Sequence, residues 1–288
     1  MIINSQKRSF GKGAKVSLFT LGTMRSTESL EKMCSVIKNA YYVGINHIET
    51  APSYGDAESL IGKSIIKLAK EENIKEKSWV ITTKVLPKGD FEFLKNNFKN
   101  SLKNLNCEKI NNLAIHGVNL KQHLDWVLAG EGKKFISWIL EKELVDQVGF
   151  SSHGSYSLIK EAINSEVFSF CSLHLHYLDQ SKITLAEQAI KKGMGVLAIS
   201  PADKGGRLYS PSDILLEASK PFHPLELAYR FLLAKGITTL SLGATTKKDF
   251  EFANKLRNSF NKLTKLEKSA LNKIEEEANE RLDSTKCE

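Results

Sequence analysis

Short apolar runs recur along the chain, each followed by a longer stretch in which apolar residues return every three or four positions. The first pattern reads as a buried strand and the second as a helix with one apolar face. The runs fall at Val16 to Leu21, Asn46 to Glu49, Trp79 to Lys84, Asn111 to His116, Gln147 to Ser151, Cys171 to His176, Gly195 to Ser200 and Thr239 to Leu242. Between them, Phe91, Leu94, Phe98, Leu102 and Leu105 share one helical face behind Asp90. Leu30, Met33, Val36 and Ile37 do the same after Thr27, and Pro224 stands where a first helical turn tolerates proline. Strand followed by helix, eight times over, predicts an α/β fold of the (β/α)8 TIM-barrel type, with residues 1–288 forming one domain that ends in a helix over about 265–280.

A barrel of this kind carries its chemistry on the carboxyl ends of its strands and the loops beyond them. The predicted strand ends are polar: Glu49, Lys84, His116, Ser151 with Ser152, and His174 with His176. Tyr54 follows Glu49 closely enough to reach the same mouth. No G-x-G-x-x-G follows the first predicted strand, so a dinucleotide bound here would be held without a Rossmann half.

Reducing a carbonyl requires a hydride donor on one face and an acid for the developing alkoxide, and a phenol is a sluggish acid unless its surroundings adjust it. A lysine beside the tyrosine favours the phenolate, a carboxylate holds that lysine charged, and a histidine donates to the carbonyl oxygen. Tyr54, Lys84, Glu49 and His116 supply that set.

Composition narrows the classes without naming a function. The chain is 41% hydrophobic and 26% charged, as expected of a packed globular protein. Its net charge of +8 comes from lysines interleaved with glutamates, as in Lys70, Glu71, Glu72, Lys75 and Glu76, which reads as solvated helix surface and argues against nucleic acid. Cys34, Cys107, Cys171 and Cys287 are widely separated, and the opening MIINSQKRSF lacks an apolar signal core, so reduced thiols in the cytoplasm are expected. No apolar run is long enough for a membrane span. His47, His123 and His223 read as structural, and the strand-end histidines lack a matching carboxylate set, so no metal is expected.

The segment GINHIETAPSYG (Gly44 to Gly55), with ITTKV (Ile81 to Val85) and LAIHG (Leu113 to Gly117), resembles the aldo-keto reductase family, and LGTMR, VGFSSH and LGATTKKDF extend the likeness in the family's order. The resemblance implies an NAD(P)H-dependent oxidoreductase acting on the carbonyl of an aldehyde or ketone, a small-molecule partner, with NADPH the usual cofactor and NADH possible. It assigns Tyr54 as general acid and Lys84, His116 and Glu49 as its companions, Glu49 replacing the commoner aspartate. For the cofactor it implies Gly22, Thr23 and Met24 in the first loop, Ser151, Ser152 and His174 at the nicotinamide carboxamide, Ser200 in the loop after the seventh strand, with Ile199 where many members stack a tyrosine, and Gly243, Thr245 and Lys248 at the adenosine end. There Lys247 and Lys248 suit a 2′-phosphate while Asp249 opposes it. The substitutions keep a second reading open, a cofactor-binding redox-sensing or regulatory barrel with little turnover. A subgroup of the family continues into an iron–sulfur segment, for which Cys287 would be a first thiolate.

Overall fold

The computed structural model describes residues 5–259 and 261–281. Its centre is a closed barrel of eight parallel strands: β3 (Phe19–Gly22), β4 (His47–Glu49), β5 (Val80–Val85), β6 (Ile110–Ile115), β7 (Val145–Ser152), β8 (Phe170–His174), β9 (Gly195–Ile199) and β10 (Thr239–Leu242), with β10 closing on β3. Helices α1 (Leu30–Tyr42), α2 (Ala57–Glu71) and α3 (Phe91–Leu105) follow β3, β4 and β5. After β6 come α4 (Lys121–Ala129) and α5 (Glu131–Glu141), and after β7 and β8 come α6 (Tyr156–Asn164) and α7 (Ile183–Lys191). Then follow α8 (Asp213–Ala218), α9 (Pro224–Ala234), α10 (Glu251–Leu256) and α11 (Lys265–Arg281). The expected (β/α)8 barrel is therefore the observed fold.

The helices start where local chemistry satisfies their first N–H groups. Ser29 accepts from the Lys32 amide at α1, Asp90 from Phe93 at α3, and Ser155 from Leu158 at α6. On α3 the expected face is the buried one: Leu94, Phe98 and Leu105 are sealed against the sheet, while Phe91 and Leu102 pack at its margin. The apolar cores of a parallel barrel lie in two places, between strands and helices and inside the barrel itself.

One predicted strand is corrected. Val16 to Leu21 is not continuous: β1 (Lys7–Arg8) pairs antiparallel with β2 (Val16–Ser17), and only Phe19 onward enters the barrel. The hairpin carries Phe10 into the barrel floor, where its ring lies 4.9 Å from that of Phe170 and 5.2 Å from that of His47. Gly195 makes room for it, since a Cβ there would stand 2.4 Å from the Phe10 ring.

Above this plug, inward-facing side chains form a hydrogen-bonded girdle. His47 contacts Thr20 Oγ1 through Nδ1 and Thr82 Oγ1 through Nε2, each at 2.7 Å. Asn112 donates to Thr82 Oγ1 at 3.0 Å, and Gln147 donates to Asn112 Oδ1 at 2.7 Å. Burial holds His47 down to about 3, so it is a neutral structural histidine. Its unfolded value is near 6.5, so the unfolded chain binds the extra proton and stability is lost as pH falls below that value. The expected slope is about 1.4 kcal/mol per pH unit from this residue alone. Urea denaturation at several pH values on the acid side of neutrality measures it, and a flat profile would contradict the buried neutral assignment.

No described helix is long and apolar enough to cross a membrane. Cys34, Cys107 and Cys171 are free thiols, and Cys287 lies outside the described residues.

Candidate active site

Strand register delivers the polar residues to one end of the barrel. Side chains alternate between the two faces of a strand, so the inward positions two residues above the girdle share one level. Gly22 and Glu49 are register partners, and so are Ser151 and Ser172. Glu49, Lys84, His116, Ser151, Ser172 and Ile199 all line one cavity of about 440 Å³, together with Tyr54 from the loop after β4.

Lys84 is the hub. Its ammonium is paired with the Glu49 carboxylate, donates to the Tyr54 hydroxyl at 2.9 Å and donates to the Thr50 carbonyl at 2.9 Å. Both members of the ion pair are buried, Lys84 at 2% and Glu49 at 4% exposure. Burial pulls the Lys84 ammonium down from its ordinary range, and Glu49, with a smaller contribution from Glu58, opposes that.

The Tyr54 ring meets His116 edge to face at 6.1 Å. The expectation that Lys84 lowers the tyrosine's pKa is reversed here. Burial first, then the Glu49 carboxylate, pushes the Tyr54 phenol above its ordinary value. Glu49 matches the charge of Lys84, so the phenol sees a neutral pair rather than a lone cation and stays protonated. His116 is held down to about 4 by burial, then by Lys84 and His153, and is a neutral imidazole at neutral pH. Its Nδ1 lies 3.4 Å from Ser53 Oγ.

A groove of about 470 Å³ continues from this cavity across the barrel end, sharing Glu49, Tyr54, His116, His153 and Ile199. Gly22, Thr23, Met24, Ser200 and Gly243 line it, as do Gly205 and Gly206. Backbone forms much of its wall: a Cβ on Gly22 would lie 2.8 Å from Ser241 Oγ. Thr23 also holds the site together by donating to the Glu49 carbonyl at 3.1 Å. Arg25 spans the groove to the Gly205 carbonyl at 2.8 Å.

Four expected positions lie differently. Ser152 has the opposite face of β7 from Ser151; it donates to the Val118 carbonyl at 2.6 Å and accepts from Gly154 at 2.9 Å, so it braces the loop and does not line the cavity. His174 is buried against His176 and His153, ring centroids 5.0 and 5.9 Å away, and lines neither cavity nor groove. Burial, His176 and His153 hold it down to about 4. Thr245 and Lys248 also lie off the groove wall.

The residue that sequence reasoning missed is Ser172. It is buried, lines the cavity and has a hydroxyl without a partner among the described residues. The signal was available: Phe170, Ser172 and His174 alternate on β8, and Phe170 is an inward residue.

In the turn after β10, the Asp249 carboxylate accepts from the Thr245 and Thr246 amides, both at 2.8 Å, and closes a capping box. Among the described residues no group of three or more histidine, cysteine or acidic side chains is arranged to hold a metal ion.

Residues 19–281 match the Aldo/keto reductase family. Aldo-keto reductase str7 of Strobilurus tenacellus is 25% identical over 213 residues, which make up 71% of this chain and 61% of that protein, so this chain spans about three fifths of the length of the curated relative it matches. Among solved structures, an aldo-keto reductase from Bacillus halodurans in its holo form superposes with a TM-score of 0.78 at 20% identity, covering 94% of this chain and 96% of that one. A thermostable aldo-keto reductase solved with the inhibitor epalrestat gives 0.74 at 23% identity, covering 93% and 99%. At these identities the superpositions speak for the fold.

Proposed function

This chain belongs to the aldo/keto reductase family, and from that premise we propose that it reduces the carbonyl of an aldehyde or ketone with NAD(P)H, Tyr54 serving as the proton donor. The observation that carries the reading is the 2.9 Å contact from the Lys84 ammonium to the Tyr54 hydroxyl, inside a cavity shared with His116.

The groove fits a dinucleotide on its own features. Glycines bring backbone to its surface at Gly22, Gly205, Gly206 and Gly243, Arg25 supplies a cation, and in the adjoining cavity the Ser172 hydroxyl is an unpartnered buried group beside Ser151. Ser151 and Ser172 would hold the nicotinamide carboxamide, with Ile199 against the ring. The loop from Ser200 to Tyr209 and Arg25 would hold the pyrophosphate. When bound, the reduced nicotinamide supplies the hydride.

The chain's own residues supply the proton and the field. His116, neutral, donates to the substrate oxygen and orients it. As negative charge grows on that oxygen, Tyr54 gives up its proton to it. An alkoxide is a stronger base than even a phenolate with a raised pKa, so this transfer runs downhill, and the phenolate left behind meets the Lys84 ammonium. Glu49 favours the charged form of that ammonium in a site where burial disfavours it.

Asp249 occupies the Thr245 and Thr246 amides, so a 2′-phosphate would rely on Lys247 and Lys248, and NADH would serve as a donor as well. The test is oxidation of each reduced cofactor by purified protein against a panel of reactive aldehydes. Multiple turnovers with at least one cofactor are expected. Tight binding without turnover would instead favour a regulatory barrel.

A further inference from the structure

A second cavity, of about 340 Å³, lies between the loop after β4, the end of β5 and α3. It shares Lys84, Leu86, Lys88 and His116 with the mouth, so the two spaces adjoin. Its distinctive wall residue is Glu58, in the first turn of α2 and 2% exposed. The Glu58 carboxylate accepts from Thr83 Oγ1 at 2.6 Å and from Asn104 Nδ2 at 3.4 Å, and among the described residues no cation pairs with it.

Charge makes this wall unusual. Glu49 and Glu58 bring two buried carboxylates to this side of the site, and Lys84, the single buried ammonium among the described residues, is already committed to Glu49, Tyr54 and Thr50. A buried carboxylate short of a counter-ion favours a cation from a ligand. The remaining lining suits an ammonium group. Ser101 is buried with a hydroxyl that has no partner among the described residues, and Asn97 offers an amide carbonyl one turn away on the same face of α3. Phe93, 45% exposed on that face, presents an aromatic ring of the kind cations favour. Lys88 opposes a cation from the rim, where it is exposed and screened by solvent.

We propose that this side cavity is a subsite for an ammonium group carried by the carbonyl substrate, with Glu58 as its counter-ion. The assignment rests on the reductase reading for the carbonyl end, while the ammonium end stands on Glu58, Ser101, Asn97 and Phe93.

Two measurements decide it. Butylammonium chloride, titrated while the backbone amides of Asn97 and Ser101 are followed by NMR, should give saturable shifts, and Glu58→Gln should weaken that binding about tenfold or more. Glutamine keeps an acceptor for Thr83, so the fold has no reason to change. In turnover, 4-(aminomethyl)benzaldehyde should exceed its uncharged isostere 4-ethylbenzaldehyde in kcat/KM by about tenfold, and Glu58→Gln should bring the pair close to parity. A purely structural Glu58 would alter both substrates alike and leave their ratio unmoved, which overturns the proposal. Absent or non-saturable butylammonium binding also overturns it, as does binding indifferent to Glu58→Gln. If neither aldehyde is reduced, the reductase reading fails, and the ammonium titration still decides the subsite.

Discussion

Tyr54→Phe is expected to lower turnover of an aldehyde by about a thousandfold, within the range that a positioned acid contributes. Binding of the reduced cofactor, followed by quenching of its fluorescence, should change by no more than about twofold, because the variant loses only an oxygen. The ring stays in its edge contact with His116, and the Glu49–Lys84 pair stays closed. What disappears is the proton that meets the growing alkoxide. Retained turnover in this variant would remove Tyr54 from the chemistry and return the question to His116, whose ring meets that of Tyr54 and which also lines both cavity and groove.

Lys84→Met is expected to cost stability as well as activity. It leaves the Glu49 carboxylate buried without its cation, a loss of about 3–5 kcal/mol for a broken buried pair. Urea denaturation should show that loss. The double variant Glu49→Gln, Lys84→Met removes both charges and should regain most of the stability, since the expense of the single variant lies in the orphaned carboxylate. Turnover should remain low in both, by about a hundredfold or more, because neither offers an ammonium to the tyrosinate. A single variant as stable as the parent would mean that water reaches Glu49, contrary to its 4% exposure.

The two variants separate roles that the sequence joins. Tyr54, Lys84, His116 and Glu49 are legible as a set because each closes or follows a strand at the same end of an eight-unit alternation. The direction of the tyrosine's pKa is not legible. A lysine near a tyrosine implies a lowered value, but here the carboxylate that holds the lysine also cancels its field, and burial then dominates. Whether Lys84 acts on the resting phenol or on the phenolate formed in the reaction depends on this three-way geometry.

The same division runs through the groove. Gly22, Thr23, Met24, Ser200 and Gly243 line it, as their places in short loops next to strand ends suggest. Ser152 and His174 do not, and Ser172 lines the cavity instead. Ser151 and Ser152 are adjacent on β7 and face opposite ways, so one position decides whether a hydroxyl reaches the site or a loop carbonyl, and a motif match does not resolve that step. Asp249 is a further case. As a letter in LGATTKKDF it is a charge that repels phosphate, whereas folded it is a cap on the amides of Thr245 and Thr246.

By itself, the sequence determined the number and order of the β/α units and the polar residues delivered to one end of the barrel, because these follow from periodicity along the chain. It also carried the family likeness from the first strand to the last. Tertiary structure alone decided where the first predicted strand breaks to turn Phe10 into the barrel floor, which serine faces the cavity, and how Glu49 sets the state of Tyr54. It alone brought Glu58 of α2, Thr83 of β5 and Ser101 of α3 to one place. Those outcomes depend on which side chains meet across distant segments, where packing and the loss of water set direction and charge, and no local pattern encodes that.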